Sequence, residues 1–313
     1  MATSDVGPKT LRVAPKDPKG PLTGPGEPPA LGPSAAAPRP PARTWTARGT
    51  ADSGGARPGG GRPSASLQSY VLNRHDWSES SLIVELFTRE RGRLVVVAKG
   101  AKKPTSNFRP VLLPFQPLLA GLGKPPSDEQ SDVFTLRSAE WGGGQDLLPA
   151  SALLSGFYMN ELLLKLLARQ DAHPALYDAY AEALSALALH RSAADEARTL
   201  RAFELMLLRE LGWLPDLSVD TLRAQPVQPD ARYTLQSEAG LVPAAQGPTG
   251  TQWLELEAAL MHGSMQALRQ ACQTVTGALR APLQELLHYH LGHSTLRTRQ
   301  VRQGVHKLSA LTV

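Results

Sequence analysis

Seven basic side chains, Arg89, Arg91, Arg93, Lys99, Lys102, Lys103 and Arg109, fall within one short stretch that holds a single acid, Glu90. Cations at that density suit phosphate: each can neutralise one backbone charge and release condensed counterions. The same residues also suit a blander role, as solvated charges that stop a hairpin edge from pairing with another chain. Charge alone leaves both readings open. Trp77 and Phe108 lie in polar surroundings beside basic residues and carry the flat faces on which unpaired bases stack. Tyr70, Phe87 and Phe115 share that chemistry, but Phe87 and Phe115 sit inside apolar runs, where core packing is the expectation. A second positive patch, Arg297, Arg299, Arg302 and Lys307, occupies the acid-free stretch from Leu286 to Val313.

Other chemistries find little support. Gly142 to Gly144 lacks the Lys-Ser/Thr of a phosphate-cradling loop, and no His-Glu-x-x-His occurs. His288, His290 and His293 follow Cys272, but on a helix of 3.6 residues per turn positions 288 and 290 point about 200° apart. One cysteine cannot form an intramolecular disulfide or a Cys-rich zinc site, so a reducing compartment, no metal and no cofactor are expected. Asp76, Glu79 and Glu85 show no pairing that spacing can establish, and a non-enzyme is the reading adopted.

The elements that must position these residues are short strands followed by helices. Leu67–Arg74, Ser81–Thr88 and Arg93–Lys99 are crowded with Val, Ile, Leu, Phe and Tyr, and Gly92 sits where a hairpin requires positive φ. Val111–Ala120 predicts a fourth strand, bent or at an edge because Pro114 and Pro117 donate no ladder hydrogen bonds. A loop is expected over Gly121–Gln130. Ser131–Ser138 supplies a fifth strand, Val133 and Thr135 on one face and Phe134 and Leu136 on the other. Five such strands match an OB-type barrel, a fold that commonly binds single strands across one face.

Helical periodicity takes over after Trp141. Residues 151–169 are apolar except for the stripe Asn160, Glu161, Lys165 and Arg169, which predicts the central helix of a second domain. Further helices are expected at about 175–189, 194–211, 251–262, 264–280 and 282–292, with Gly212 capping the third. A proline-rich, irregular insertion spans 213–250, with a small hairpin over Glu238 to Gly240. The expected organisation is α+β: a tail at 1–66, a barrel domain at 67–145 and a helical domain at 146–313.

Of 313 residues, 33 are Lys or Arg and 28 Asp or Glu, but the excess sits in residues 1–66, and the remainder is neutral. A nucleic-acid partner must therefore rest on local clustering. Residues 1–66 contain 13 Pro and 11 Gly with almost no large apolar side chains, so disorder is expected there. That tail reads either as a loose basic tether or as a dispensable extension preceding the original start. No run approaches the roughly 18 apolar residues of a membrane span, and no apolar secretory segment opens the chain, so a cytoplasmic protein is expected.

Several runs carry a family resemblance. Tyr70-Val-Leu-Asn-Arg-His-Asp-Trp, Gly92-Arg-Leu-Val-Val-Val-Ala-Lys-Gly-Ala-Lys and Leu113-Pro-Phe-Gln-Pro-Leu resemble the N-terminal domain of the RecO family of DNA repair proteins. Ser155-Gly-Phe-Tyr-Met-Asn-Glu, Phe203-Glu-Leu-Met-Leu-Leu-Arg-Glu-Leu-Gly and Leu291-Gly-His-Ser-Thr-Leu-Arg-Thr-Arg resemble its helical domain. The match runs in order over about 67–307. It implies a bacterial, nucleoid-associated recombination mediator that binds single- and double-stranded DNA and anneals complementary strands. With RecR, it would load the recombinase RecA onto strands coated by single-stranded-DNA-binding protein. Some members carry zinc on Cys-x-x-Cys pairs in the region of 213–250, where this chain has no cysteine, so zinc does not carry over. The rival reading is a protein-interaction adaptor whose barrel binds no nucleic acid.

Overall fold

The computed structural model describes residues 66–123, 132–144, 146–292, 294–302 and 304. The expectation of a disordered tail over 1–66 lies almost wholly outside these residues, as does most of the 121–130 loop.

Alternation builds the barrel. β1 (Leu67–Asp76), β2 (Leu82–Thr88), β3 (Gly92–Ala98), β4 (Pro117–Leu122) and β5 (Val133–Trp141) close in the order β1-β2-β3-β5-β4. All pairs are antiparallel except β3 with β5. Val71, Val84, Leu86, Leu94, Val96 and Leu136 fill the interior. On the opposite face of β1 and β2, Tyr70, Leu72 and Phe87 are equally buried, but in the core of the helical region. The barrel is thus apolar inside and, along one flank, outside as well.

The fourth strand departs from expectation. Residues 111–116 form turns and a bridge rather than a strand, and β4 begins at Pro117, its first residue, where a missing donor is tolerated. Nor is β4 an edge, since it pairs with both β1 and β5. The apolar run exists because Leu112 plugs the barrel core while Phe115 joins the helical one.

The helices are α1 (Leu153–Leu166), α2 (Pro174–Ala188), α3 (Ala193–Glu210), α4 (Gly250–His262), α5 (Met265–Ala271) and α6 (Thr276–Leu291), with a 3-10 turn at Ala150–Ala152. The central helix is α3, not α1: every residue from Thr199 to Leu208 is buried. Its position is masked in the sequence by Arg201 and Glu204, which neutralise one another at 2.6 Å inside the core. α1 instead bridges barrel and helices. Its Asn160, fully buried, donates to the Leu72 carbonyl (3.0 Å) and accepts from the Tyr180 hydroxyl (2.5 Å). An amide deprived of either partner there would cost about 1–3 kcal/mol.

Ends follow local chemistry. The Ser192 hydroxyl accepts from the Asp195 N–H, and Thr249 with Gln252 forms a capping box. Gly212 at φ 70 terminates α3, as expected, with Trp213 N–H on the Leu208 carbonyl. The helix expected over 264–280 is broken: Cys272 and Val275 turn the chain, and the Thr276 hydroxyl bonds the Cys272 carbonyl at 2.6 Å. α6 then continues through Pro282 instead of starting there. Between α3 and α4, β6 (Val219–Asp220) pairs with β7 (Gln225–Pro226), and β8 (Tyr233–Gln236) with β9 (Gly240–Pro243), the latter being the expected hairpin. No helix among the described residues is long and apolar enough to cross a membrane.

Candidate nucleic-acid interface

The β2–β3 hairpin has two ends, roughly 20 Å apart for seven residues of strand, and the basic residues divide between them. At the tip, the Thr88 hydroxyl donates to the Gly92 carbonyl (2.9 Å) and accepts from the Arg91 N–H (3.1 Å). Gly92 has φ 65, and a Cβ there would lie 1.7 Å from the Asp171 carbonyl oxygen, so the turn presses directly on the loop after α1. Gln170 N–H completes the seam on the Arg93 carbonyl (2.9 Å).

Each tip cation has an acceptor or a ring from elsewhere in the chain. The Arg89 guanidinium forks onto both Asp178 oxygens on α2 at 2.9 Å. Arg91 lies over the Phe134 ring, 4.6 Å from its centroid. Arg93 binds Glu85 (3.0 Å) and the Leu167 carbonyl (3.2 Å) with its side chain 15% exposed. Beside them the aromatic rings are also occupied. Tyr70 packs 5.4 and 5.1 Å from Tyr177 and Tyr180, Phe87 lies 5.5 Å from Tyr177, and Phe115 meets Phe157 at 4.9 Å.

The other end is open. Lys99, Lys103 and Arg109 are exposed and, among the described residues, form no ion pair. Lys102 is half-buried: its backbone N–H bonds the Ser80 carbonyl (2.9 Å), and its ammonium reaches the Ser78 carbonyl (3.0 Å) and Asp76 (3.4 Å). These bonds knit the loop after β3 to the loop between β1 and β2. Beside that junction is a depression of about 450 Å³ lined by Arg74, Asp76, Leu82, Lys102, Phe108 and Arg109, among others. Phe108 rests half-buried on the barrel core, whereas Trp77 is 65% exposed. Five cations (Arg74, Lys99, Lys102, Lys103, Arg109) thus meet two acids, Asp76 and Glu79.

Arg74 was missed by reading the basic run alone, because it comes from β1; its guanidinium donates to the Leu112 carbonyl at 2.8 Å. The signal was the polar sequence Asn73-Arg-His-Asp-Trp where β1 leaves the barrel.

The C-terminal patch is dispersed. Residues 297–302 are helical, and the Glu161 carboxylate of α1 accepts from the Arg297 N–H (2.7 Å), the Thr298 N–H (2.9 Å) and the Thr298 hydroxyl (2.7 Å). Burial pushes the Glu161 pKa up; the Thr298, Arg297 and Lys165 hydrogen bonds outweigh it and hold the carboxyl below its usual range. Arg302 donates to the Ser155 hydroxyl at 2.8 Å, Arg299 is exposed, and Lys307 lies outside the described residues. Cys272 is buried, which pushes its thiol up to about 12, and His290 stacks on Trp213 at 4.2 Å. His293 lies outside the described residues. Among those described, no group of three or more His, Cys, Asp or Glu side chains could hold a metal ion.

Two family models match this chain, Recombination protein O N terminal over residues 64–141 and Recombination protein O C terminal over 150–300. The chain is 51% identical to the DNA repair protein RecO of Variovorax paradoxus (strain S110) over 251 residues, covering 77% of this chain and 96% of that protein. The DNA repair protein RecO of Verminephrobacter eiseniae (strain EF01-2) is 50% identical over 238 residues, covering 74% and 93%. That of Polaromonas sp. (strain JS666 / ATCC BAA-500) is 46% identical over 245 residues, covering 77% and 96%.

Proposed function

The chain belongs to the RecO family of DNA repair and recombination proteins, and on that premise we propose that it holds DNA at the open end of its barrel as a recombination mediator. The observation that carries this reading is the set of exposed cations, Lys99, Lys103 and Arg109, in the loops at and after the end of β3, together with an exposed Trp77 in the loop that Lys102 ties to them. Lys102 and Arg74 extend the set, each partly committed to a carbonyl. Phosphates would lie against these cations, and bases would stack on Trp77 and the free face of Phe108. Neutralising one strand lowers its repulsion for a complement, which is the physical basis on which such a surface anneals strands. RecR and single-stranded-DNA-binding protein are the protein partners that the family implies, with loading of RecA as the outcome. Arg89, Arg91 and Arg93 fasten the barrel to the helices in this reading and contribute no phosphate contact.

A salt titration of single-stranded DNA binding tests it. Affinity falls on a log–log plot with a slope of about −0.7 per phosphate neutralised, so Lys102→Ala, Lys103→Ala and Arg109→Ala together flatten the slope by about two units, similarly for every sequence. Arg89→Ala leaves the slope as it was. An unchanged slope in the triple variant overturns the site, and no binding at either low or moderate salt favours the adaptor reading.

A further inference from the structure

The depression of about 450 Å³ at the open end of the barrel falls within the size range of small-molecule sites, roughly 300–1,000 Å³. Its floor is apolar: Leu112 belongs to the barrel core, and Leu82 and Phe108 pack half-buried against it. Above the floor the lining is mixed in charge, with Arg74, Lys102 and Arg109 facing Asp76, the only acid among the described lining residues. Two of these side chains keep unused hydrogen-bonding capacity. The Arg74 guanidinium donates to the Leu112 carbonyl at 2.8 Å and forms no ion pair among the described residues, so further N–H donors remain. The Asp76 side chain is 79% exposed; its Oδ1 lies 3.4 Å from the Lys102 ammonium, and its Oδ2 has no partner among the described residues. A phosphate seated here would meet that carboxylate and be repelled. A nucleobase suits the same lining, because its face is flat and largely apolar while its edge mixes donors with acceptors.

We propose that this depression is a base subsite, which takes one unstacked nucleobase and favours cytosine and guanine over thymine. The subsite rests on the reading that DNA lies at the open end of the barrel, with the phosphates of the strand outside it against Lys99 and Lys103. Cytosine presents an amino donor beside two acceptors, N3 and O2; the amino group donates to Asp76, and the spare Arg74 donors meet the acceptors. Guanine presents two donors to the carboxylate, at N1 and N2, and its O6 to the guanidinium. Thymine carries its one edge donor between two carbonyl oxygens, so a carboxylate that reaches the N3–H also faces an oxygen lone pair. Pairing occupies this edge in a duplex, and the base enters only when it is unpaired and turned out of its stack. The subsite therefore acts on single strands and on frayed ends.

Fluorescence anisotropy of the full chain with labelled oligodeoxycytidine and oligothymidine of about eight nucleotides, a length within the reach of one OB fold, tests the subsite near neutral pH. The cytosine strand binds roughly fivefold or more tightly than the thymine strand. Asp76→Ala brings the two within about twofold of each other, because the thymine strand gains from the lost repulsion while the cytosine strand loses its acceptor. The melting temperature stays within about 2 °C, since the side chain is exposed. If Asp76 merely repels phosphates, the substitution strengthens both strands by the same factor and leaves their ratio as it was, which overturns the subsite. Equal affinity of the unmodified chain for the two strands, or a preference for thymine, with the salt slope intact overturns the subsite and leaves the phosphate reading standing. Binding of neither strand at low salt overturns both.

Discussion

The two ends of one β-hairpin carry the same kinds of side chain and put them to opposite use. At the tip, Arg89, Arg91 and Arg93 meet Asp178, the Phe134 ring and Glu85 with the Leu167 carbonyl. At the other end Lys99, Lys103 and Arg109 are exposed and form no ion pair among the described residues. What separates them is the distant chain that folds against each end: Asp178 is 89 residues from Arg89, and Leu167 is 74 from Arg93. A guanidinium forked onto a carboxylate has already spent its pairing geometry, and a polyanion would have to displace that partner. Local charge density therefore identifies a positive segment, and only tertiary partners identify which of its cations remain open to a ligand.

The largest way to break this contrast is to loosen the tip and watch the open end. Phe87→Ala removes a fully buried ring from the seam between barrel and helices and costs about 3–5 kcal/mol. A drop in melting temperature of roughly 10 °C follows for a folded region of this size. Under conditions where the variant remains folded, its DNA salt slope is unchanged; a flattened slope would mean the two ends are not independent.

The mirror experiment leaves stability alone. Trp77→Ala alters an exposed side chain, so the melting point stays put, while single-strand affinity falls by about 1–3 kcal/mol, the contribution of one stacked base. The salt slope again remains, because no charge has changed. Loss of stability without loss of affinity would return Trp77 to an ordinary surface residue.

The smallest effect concerns the C-terminal helix, which resembles the tip in being held by a carboxylate. Glu161 has its folded-state pKa lowered, so the stability it contributes is present above the ordinary carboxylate range and is lost as pH falls through the depressed folded value. Glu161→Gln at neutral pH removes the same charge. Amide exchange at Arg297 and Thr298 then quickens several-fold, and the global melting point barely moves, as befits a partly exposed group.

Much of the barrel was legible because alternation reports a surface with two different faces: Val84 and Leu86, which point inward, alternate with Glu85 and Phe87. The code fails where both faces are apolar for different reasons. Leu112 and Phe115 look like strand residues but are plugs for two cores, and the strand starts only at Pro117. α3 hid its centrality behind a charge pair that neutralises itself, and the break between α5 and α6 depends on the Cys272 carbonyl bonding the Thr276 hydroxyl. At the candidate site, Trp77 and Phe108 were separable from Phe87 and Phe115 by their polar neighbours, whereas the burial of Tyr70 was not legible. The division of the seven cations was not, because apart from Glu85, eight residues from Arg93, the partners that hold the tip come from distant parts of the chain.

The apolar flank of the barrel also sets a timetable. Tyr70, Leu72 and Phe87 find their cover in Tyr177, Tyr180 and the helices around them, and α2 ends at Ala188. A ribosome adding about 5–20 residues per second makes the intervening 100 or so residues in roughly 5–20 s. For that interval the nascent barrel has Tyr70, Leu72 and Phe87 without their native cover from α2. This is the window in which a growing chain is most exposed to a chaperone or to another copy of itself, and its length is set by where in the sequence α2 is encoded.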